Sequence, residues 1–394
     1  MTEQQRGVLT LIKSALDGKG YPLPEAFDMA QAVHIAMRHK LIALIYYGAV
    51  NCGIDRQSEP MRKLFPALIV TMNVVQKQCF EQQRLCDAFL EKGIDHMLMK
   101  GALIQRYYPL PEMRTMGDLD ILIRTKQYER IAPVMAELGY SYCYESNHEL
   151  VWRRGKVDVE LHKCVIPTYD TDYYGYFGTG WSLAKETQPS SYALSDEDFY
   201  VYIFAHMSKH YRMAGIGIKH FVDLWVYERA KPQLDKGYIR KALEKMNLAT
   251  FYDYVQRTLE TWFNDAAATE QSDYITHVVF ENAEYGLAEN RHAAWVLLQA
   301  QKEGSVSKVK RRNHWATIFP QYSTMCNQYP ALKKAPVLLP VYWVIRWCSV
   351  VFTRRKDLEA YQATRRAQTN QKIEQRRRAL EFVGLEFAID ENSK

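Results

Sequence analysis

Residues 117–123 read Gly117-Asp118-Leu119-Asp120-Ile121-Leu122-Ile123, two acids alternating with aliphatic side chains. A period of two predicts a half-buried strand, and side chains two apart on a strand leave the same face. Asp118 and Asp120 therefore stand together, where their mutual repulsion calls for a cation between them. A strand edge with solvated acids is the plainer reading of an isolated Asp-x-Asp. A second strand weighs against it. Val157-Asp158-Val159-Glu160-Leu161-His162 alternates in the same way and sends Asp158, Glu160 and His162 to one face. Two strands offering three or more acids suit a pair of divalent cations and phosphoryl transfer.

Around these strands the pattern is short and mixed. A strand over Asp95 to Lys100 turns at Gly101 into a short helix, Ala102 to Tyr108, which Pro109 and Pro111 end. Thr125 caps a helix running to Leu138, closed by Gly139. Strands follow at 140–145 and 148–154, the second joined to the Asp158/Glu160 strand by a hairpin through Arg154-Gly155-Lys156. On either side the period is helical. The N-terminal flank ends in a long run from Glu59 to Lys92. Beyond an aromatic, Gly-rich connector (Tyr169 to Trp181), helices are expected through Tyr202 to Tyr211 and over 218–232, 236–264 and 272–300. The expected class is α+β, mostly helical, with a small mixed-sheet core between N- and C-terminal helical regions. The expected divisions are 1–93, 94–185 and 186–394.

The 394 residues are 47% hydrophobic and 24% charged, the composition of a globular protein. Seven cysteines, an odd number with no Cys-x-x-Cys pair, predict reduced thiols in the cytoplasm rather than disulfides or a zinc site. The opening Met-Thr-Glu-Gln-Gln-Arg is not expected to begin a signal peptide. The net charge of +6 is uneven: from Lys302 onward, 18 Lys and Arg face 8 Asp and Glu. Such a tail suits a solvated helix face, nucleic acid or an anionic membrane surface. Ala335 to Phe352 is the most apolar segment. It is expected to pack as a core helix, with an interfacial helix beside the basic tail as the second reading. Residues 354–381 are expected to form a charged helix. His206 and His210 lie four apart on a helix, a metal-ligand spacing. With no Glu between them and no third ligand, they are expected to face substrate or to pack, with Lys209 nearby.

Several pieces together resemble a known family. They are Leu98-Met99-Lys100-Gly101-Ala102, Tyr107-Tyr108, Arg114, the Gly117 to Leu122 run, Gly139-Tyr140 and Val159-Glu160-Leu161-His162. The chain is similar to the uncharacterised nucleotidyltransferase family of the DNA polymerase beta-like nucleotidyltransferase superfamily. His206 with Lys209-His210, Val222-Asp223-Leu224, Tyr329-Pro330 and Pro340-Val341-Tyr342-Trp343 resemble its helical part. Ala102 stands where many superfamily members have Ser.

The resemblance implies transfer of a nucleoside monophosphate from an NTP, with ATP expected, to a hydroxyl of a small molecule, sugar or protein. Asp118 and Asp120 would hold two Mg²⁺ ions, which Mn²⁺ can replace. The third acid is Asp158 or Glu160, with Glu160 favoured because it sits in the matching part. Lys100, Gly101, Arg114 and Gly117 would meet the nucleotide phosphates, with Lys100 and Arg114 also open to structural ion pairing. Asp158, His162, His206, Lys209 and His210 would line the acceptor pocket. Two other readings remain: a catalytically weak binding or regulatory module, and a nucleic-acid-tailing enzyme. The intact acid set argues against the first. The second lacks an aromatic-basic binding motif, so nucleic acid is not the expected partner, and membrane contact through the tail ranks below core packing.

Overall fold

The alternating acidic stretch forms strand β2 (Leu119–Ile123), preceded in the chain by β1 (His96–Leu98). The computed structural model describes residues 1–284, 286, 288–353, 359 and 369–387. After β2 come β3 (Ser141–Glu145), β4 (Glu149–Arg154), β5 (Val157–His162), β6 (Lys185–Gln188) and β7 (Ser191–Ala193). They make a seven-stranded mixed sheet in the order β3-β4-β5-β2-β1-β7-β6. β2 lies at its centre, parallel to β5 and antiparallel to β1.

Every β2 residue is buried, so the strand is more enclosed than a half-buried strand. The cause is position. Leu119, Ile121 and Ile123 pack with Val159 and Leu161 of β5. Covering them are Leu85 and Phe89 of the long helix α4 (Glu59–Glu91) and Ile131, Val134 and Met135 of α6 (Tyr128–Glu137). Each such side chain contributes about 1.5–3 kcal/mol by leaving water. Asp120 on the other face is buried too, at a cavity described below.

The β4–β5 hairpin forms at the expected turn, where Gly155 takes φ +59°, a left-handed conformation that suits glycine. β6 and β7 were not foreseen. Lys185-Glu186-Thr187-Gln188 is fully exposed and polar, so nothing in its period marks a strand. The connector also contains an unforeseen short helix, α7 (Thr171–Phe177).

The N-terminal region is helical throughout: α1 (Glu3–Asp17), α2 (Met29–His39), α3 (Ile42–Asn51) and then α4. A Thr2/Gln5 capping box starts α1. The turn after β1 opens α5 (Lys100–Ile104). Past the sheet come α8 (Asp196–Met213), α9 (Ile218–Ala230), α10 (Lys236–Glu244), α11 (Ala249–Phe263) and α12 (Glu270–Glu281). The fold is α+β and mostly helical.

The chain divides into two compact units, residues 1–210 with 216–285, and residues 211–215 with 286 onward. The second contains helices Ala288–Glu303, Val306–Ile318, Tyr322–Gln328, Leu339–Thr353 and Asn370–Phe382. Here one expectation is overturned. The apolar segment forms helix Leu339–Thr353 but is not core: Val341, Val344, Ile345 and Trp347 are exposed. One side of that helix packs, where Leu339, Tyr342 and Trp343 meet Met325, Cys326 and Leu332. The expected charged helix is present over Asn370–Phe382, and its residues 354–358 and 360–368 lie outside the described residues. Among the described residues, no helix is long and apolar enough to cross a membrane.

Candidate active site

The site is assembled from the register of two parallel strands. Asp120 on β2 lies directly beside Glu160 on β5, and Leu122 beside His162. His162 Nε2 is 2.7 Å from Asp120 Oδ1 and 3.4 Å from Glu160 Oε2. One oxygen or nitrogen from each of Asp120, Glu160 and His162 lies within 4.8 Å of the others. Asp118 occupies the bend just before β2 and lines the same cavity.

The turn between β1 and α5 completes this wall. Lys100 has φ +45°, a strained left-handed conformation for a residue with a Cβ. Its ammonium donates to Asp120 Oδ1 at 2.6 Å, while the Met99 amide donates to the Asp120 carbonyl. Gly101 has a packing reason to be glycine: a Cβ there would come within 2.7 Å of Arg114 Nη1 and 2.9 Å of Met116 Cγ.

Arg114 is committed elsewhere in the protein. Its guanidinium grips Asp223 of α9 with two bonds, Nε to Oδ1 at 3.0 Å and Nη2 to Oδ2 at 2.8 Å. The Tyr108 hydroxyl donates to the same Oδ1 at 2.7 Å. All three residues are buried. The bidentate geometry expected for phosphate therefore fastens the sheet's leading turn to α9.

A cavity of about 350 Å³ opens between these elements and α8 and α9. Lys100, Gly101, Arg114, Gly117, Asp118, Asp120, Glu160 and His162 line it, with His206, Lys209 and His210 from α8 and Lys219 and His220 from α9. Asp158 is not among the lining residues. Its carboxylate accepts both Nε and Nη2 of Arg153, its register partner on β4. Three lining residues carry no strong signal in the sequence: Glu149, whose carboxylate lies 2.9 Å from His148 Nε2; Lys219, paired with Glu284; and Asp223. Only the Val222-Asp223-Leu224 resemblance pointed toward the last.

Electrostatics divide the cavity. Burial and the charges of Asp120 and Glu160 push Asp118 up to about 7. Burial opposes ionisation of Asp120 too, but Lys100 and His162 overcome it and hold that carboxyl well below the usual range. His162 is raised: burial and Lys100 work against its proton, and the bonds to Asp120 and Glu160 outweigh them. On the opposite wall, burial and neighbouring positive charge hold His206 and His220 far below the ordinary histidine value. The His206 and His210 rings meet edge to face at 4.5 Å. Burial and Lys100 lower Lys209 to about 8, and its ammonium has no hydrogen bond or ion pair among the described residues.

Clustered carboxylates with an imidazole fit a divalent cation, and the like-charge strain at Asp118 is what such a cation relieves. The family model described as uncharacterised nucleotidyltransferase matches residues 25–264, which include every residue lining the cavity. The chain belongs to that family, and general nucleotidyl transfer is its class of activity. No curated protein and no solved structure matches the chain.

Proposed function

We propose that this cavity transfers a nucleoside monophosphate from an NTP, with ATP expected, to an acceptor hydroxyl, breaking the bond between the α- and β-phosphates and releasing pyrophosphate, using Mg²⁺ or in its place Mn²⁺. One observation carries the reading: Asp118, Asp120, Glu160 and His162 converge in a cavity that Lys209 also lines, an ammonium with no hydrogen bond or ion pair among the described residues. Asp118, Asp120 and Glu160 would hold the cation, with His162 beside them. Such a cation, when bound, would supply positive charge to the phosphates and lower the pKa of the acceptor hydroxyl. Lys209 offsets the negative charge of the phosphates, the partner its ammonium lacks. Glu160, at the more accessible end of the acid row, receives the acceptor's proton. His206 and His210, held on a rigid helix, shape the acceptor side together with His162. Arg114 acts indirectly by fixing α9 to the sheet. The seven cysteines are all free thiols, which suits a cytoplasmic setting.

The test is transfer of label from α-labelled ATP, and from the other NTPs, to a panel of sugars, small hydroxyl compounds and proteins with Mg²⁺. Asp118→Asn is expected to cut transfer at least ~100-fold with the fold intact. Full activity in that variant would sink the proposal. A second reading, a binding or regulatory module with little turnover, draws on the Lys100 ammonium already seated on Asp120. Thermal stabilisation by Mg²⁺ and ATP with no product from any acceptor would favour it.

A further inference from the structure

Residues 304–353 contain seven Lys and Arg and no Asp or Glu. The same stretch carries a large exposed apolar surface. Among the described side chains of helix Leu339–Thr353, Val341, Val344, Ile345 and Cys348 are exposed at a spacing that puts them on one stripe, with Pro340 and Trp347 exposed beside it. Val337, 84% exposed, and Leu338 extend it at the N-terminal end, and Trp347, Trp315 and Phe319 extend it sideways. This face is firmly held. Trp347 Nε1 donates to the Ile318 carbonyl at 2.8 Å and Trp343 Nε1 to the Pro320 carbonyl at 3.0 Å. Another side of the helix packs against Met325, Cys326 and Leu332. Among the described side chains, the aliphatic stripe faces outward.

Cations accompany it. Arg311, Arg312, Lys333 and Lys334 are exposed, and of these Arg312 pairs with Glu303. We propose that this face docks on an anionic lipid bilayer. The helix lies in the plane of the interface with Val341, Val344 and Ile345 among the upper acyl chains. Trp315 and Trp347 sit at headgroup level, and the Lys and Arg side chains meet lipid phosphates. At 15 residues the helix is too short to span, so it rests on the surface. Nucleic acid would use the cations but leave the aliphatic stripe in water. A second copy would cover the stripe but bring two sets of the exposed Arg311, Lys333 and Lys334 side chains together. Only an anionic interface satisfies both halves of the surface. The inference is independent of the chemistry in the cavity.

The experiment is flotation of the full-length protein with phosphatidylcholine vesicles, with and without phosphatidylglycerol. Binding is expected to the anionic vesicles at low salt and to fall steeply once the ionic strength shortens the Debye length to ~3 Å. Lys333→Gln with Lys334→Gln should weaken binding roughly fivefold per charge removed. Val344→Asp with Ile345→Asp should abolish it while leaving the circular dichroism and melting temperature unchanged, since both side chains are exposed. Absence of flotation at low salt overturns the proposal, as does equal binding to neutral vesicles. So does a dimer that the Asp variant dissociates in a protein that never floats, because a second copy then covers the stripe.

Discussion

Asp118 and Asp120 are two residues apart and are pushed in opposite directions, because only Asp120 has Lys100 and His162 on its oxygen. The consequences for stability have opposite signs. With its folded value raised to about 7, Asp118 favours the fold below its ordinary value near 3.8, and that contribution is lost as pH rises toward 7. In the presence of a chelator, Asp118→Asn should therefore be more stable than the natural protein at pH 8, by up to about 4 kcal/mol, with the difference shrinking toward pH 4. Melting curves across that range would check it, and a pH-independent difference would contradict it. Asp120 behaves in reverse: its lowered value adds stability above its ordinary range, lost as pH falls through it. Asp120→Asn strands a buried ammonium and should cost about 3–5 kcal/mol by denaturant unfolding. The acid pair was legible in the sequence because alternation is a local signal. The contrast between its members was not, since it comes from Lys100, twenty residues upstream, and from His162 on another strand.

At the scale of elements, the turn from β1 into α5 is the most constrained piece of the site. Gly101→Ala would force Arg114 or Met116 aside, with an expected loss of about 1–3 kcal/mol and a weakened clamp on Asp223. Arg114→Lys cannot make both bonds to Asp223. A double-mutant cycle with Asp223→Asn should reveal coupling of about 1–3 kcal/mol between the sheet and α9. Additive effects would show the clamp to be idle. Both acidic strands and the β4–β5 hairpin could be read from period and turn residues. What the period cannot separate is Asp158 from Glu160, which share a face. The hairpin register does so, by placing Arg153 opposite Asp158. β6 and β7 escaped notice because an exposed polar edge has no apolar alternation to display.

Across the whole molecule, the cavity draws its walls from residues 100 to 224, so its chemistry depends on long-range closure. Lys209→Met removes this ammonium from the cavity and should raise KM for the NTP roughly 10- to 100-fold, with less effect on the protein's thermal response to Mg²⁺ alone. An unchanged KM would move Lys209 out of the phosphate site. The long-range pairs, Arg114 with Asp223 and Tyr108 with Asp223, leave no trace in a single sequence, because neither partner is unusual where it stands. The same limit explains the misjudged apolar helix. Composition states how greasy Leu339–Thr353 is, and only the surrounding elements determine how much of it they can cover.

The two side chains on Asp120 carry a practical consequence. Because Lys100 and His162 already hold that carboxylate, the acid row keeps its geometry through contacts made within the chain. Stripping divalent ions should silence such a site without dismantling it. EDTA-treated protein is expected to keep its near-ultraviolet circular dichroism and to recover full activity as soon as Mg²⁺ is returned, with no refolding lag. The nucleotidyltransferase would then behave as a device that can be stored discharged and restarted by its ion alone.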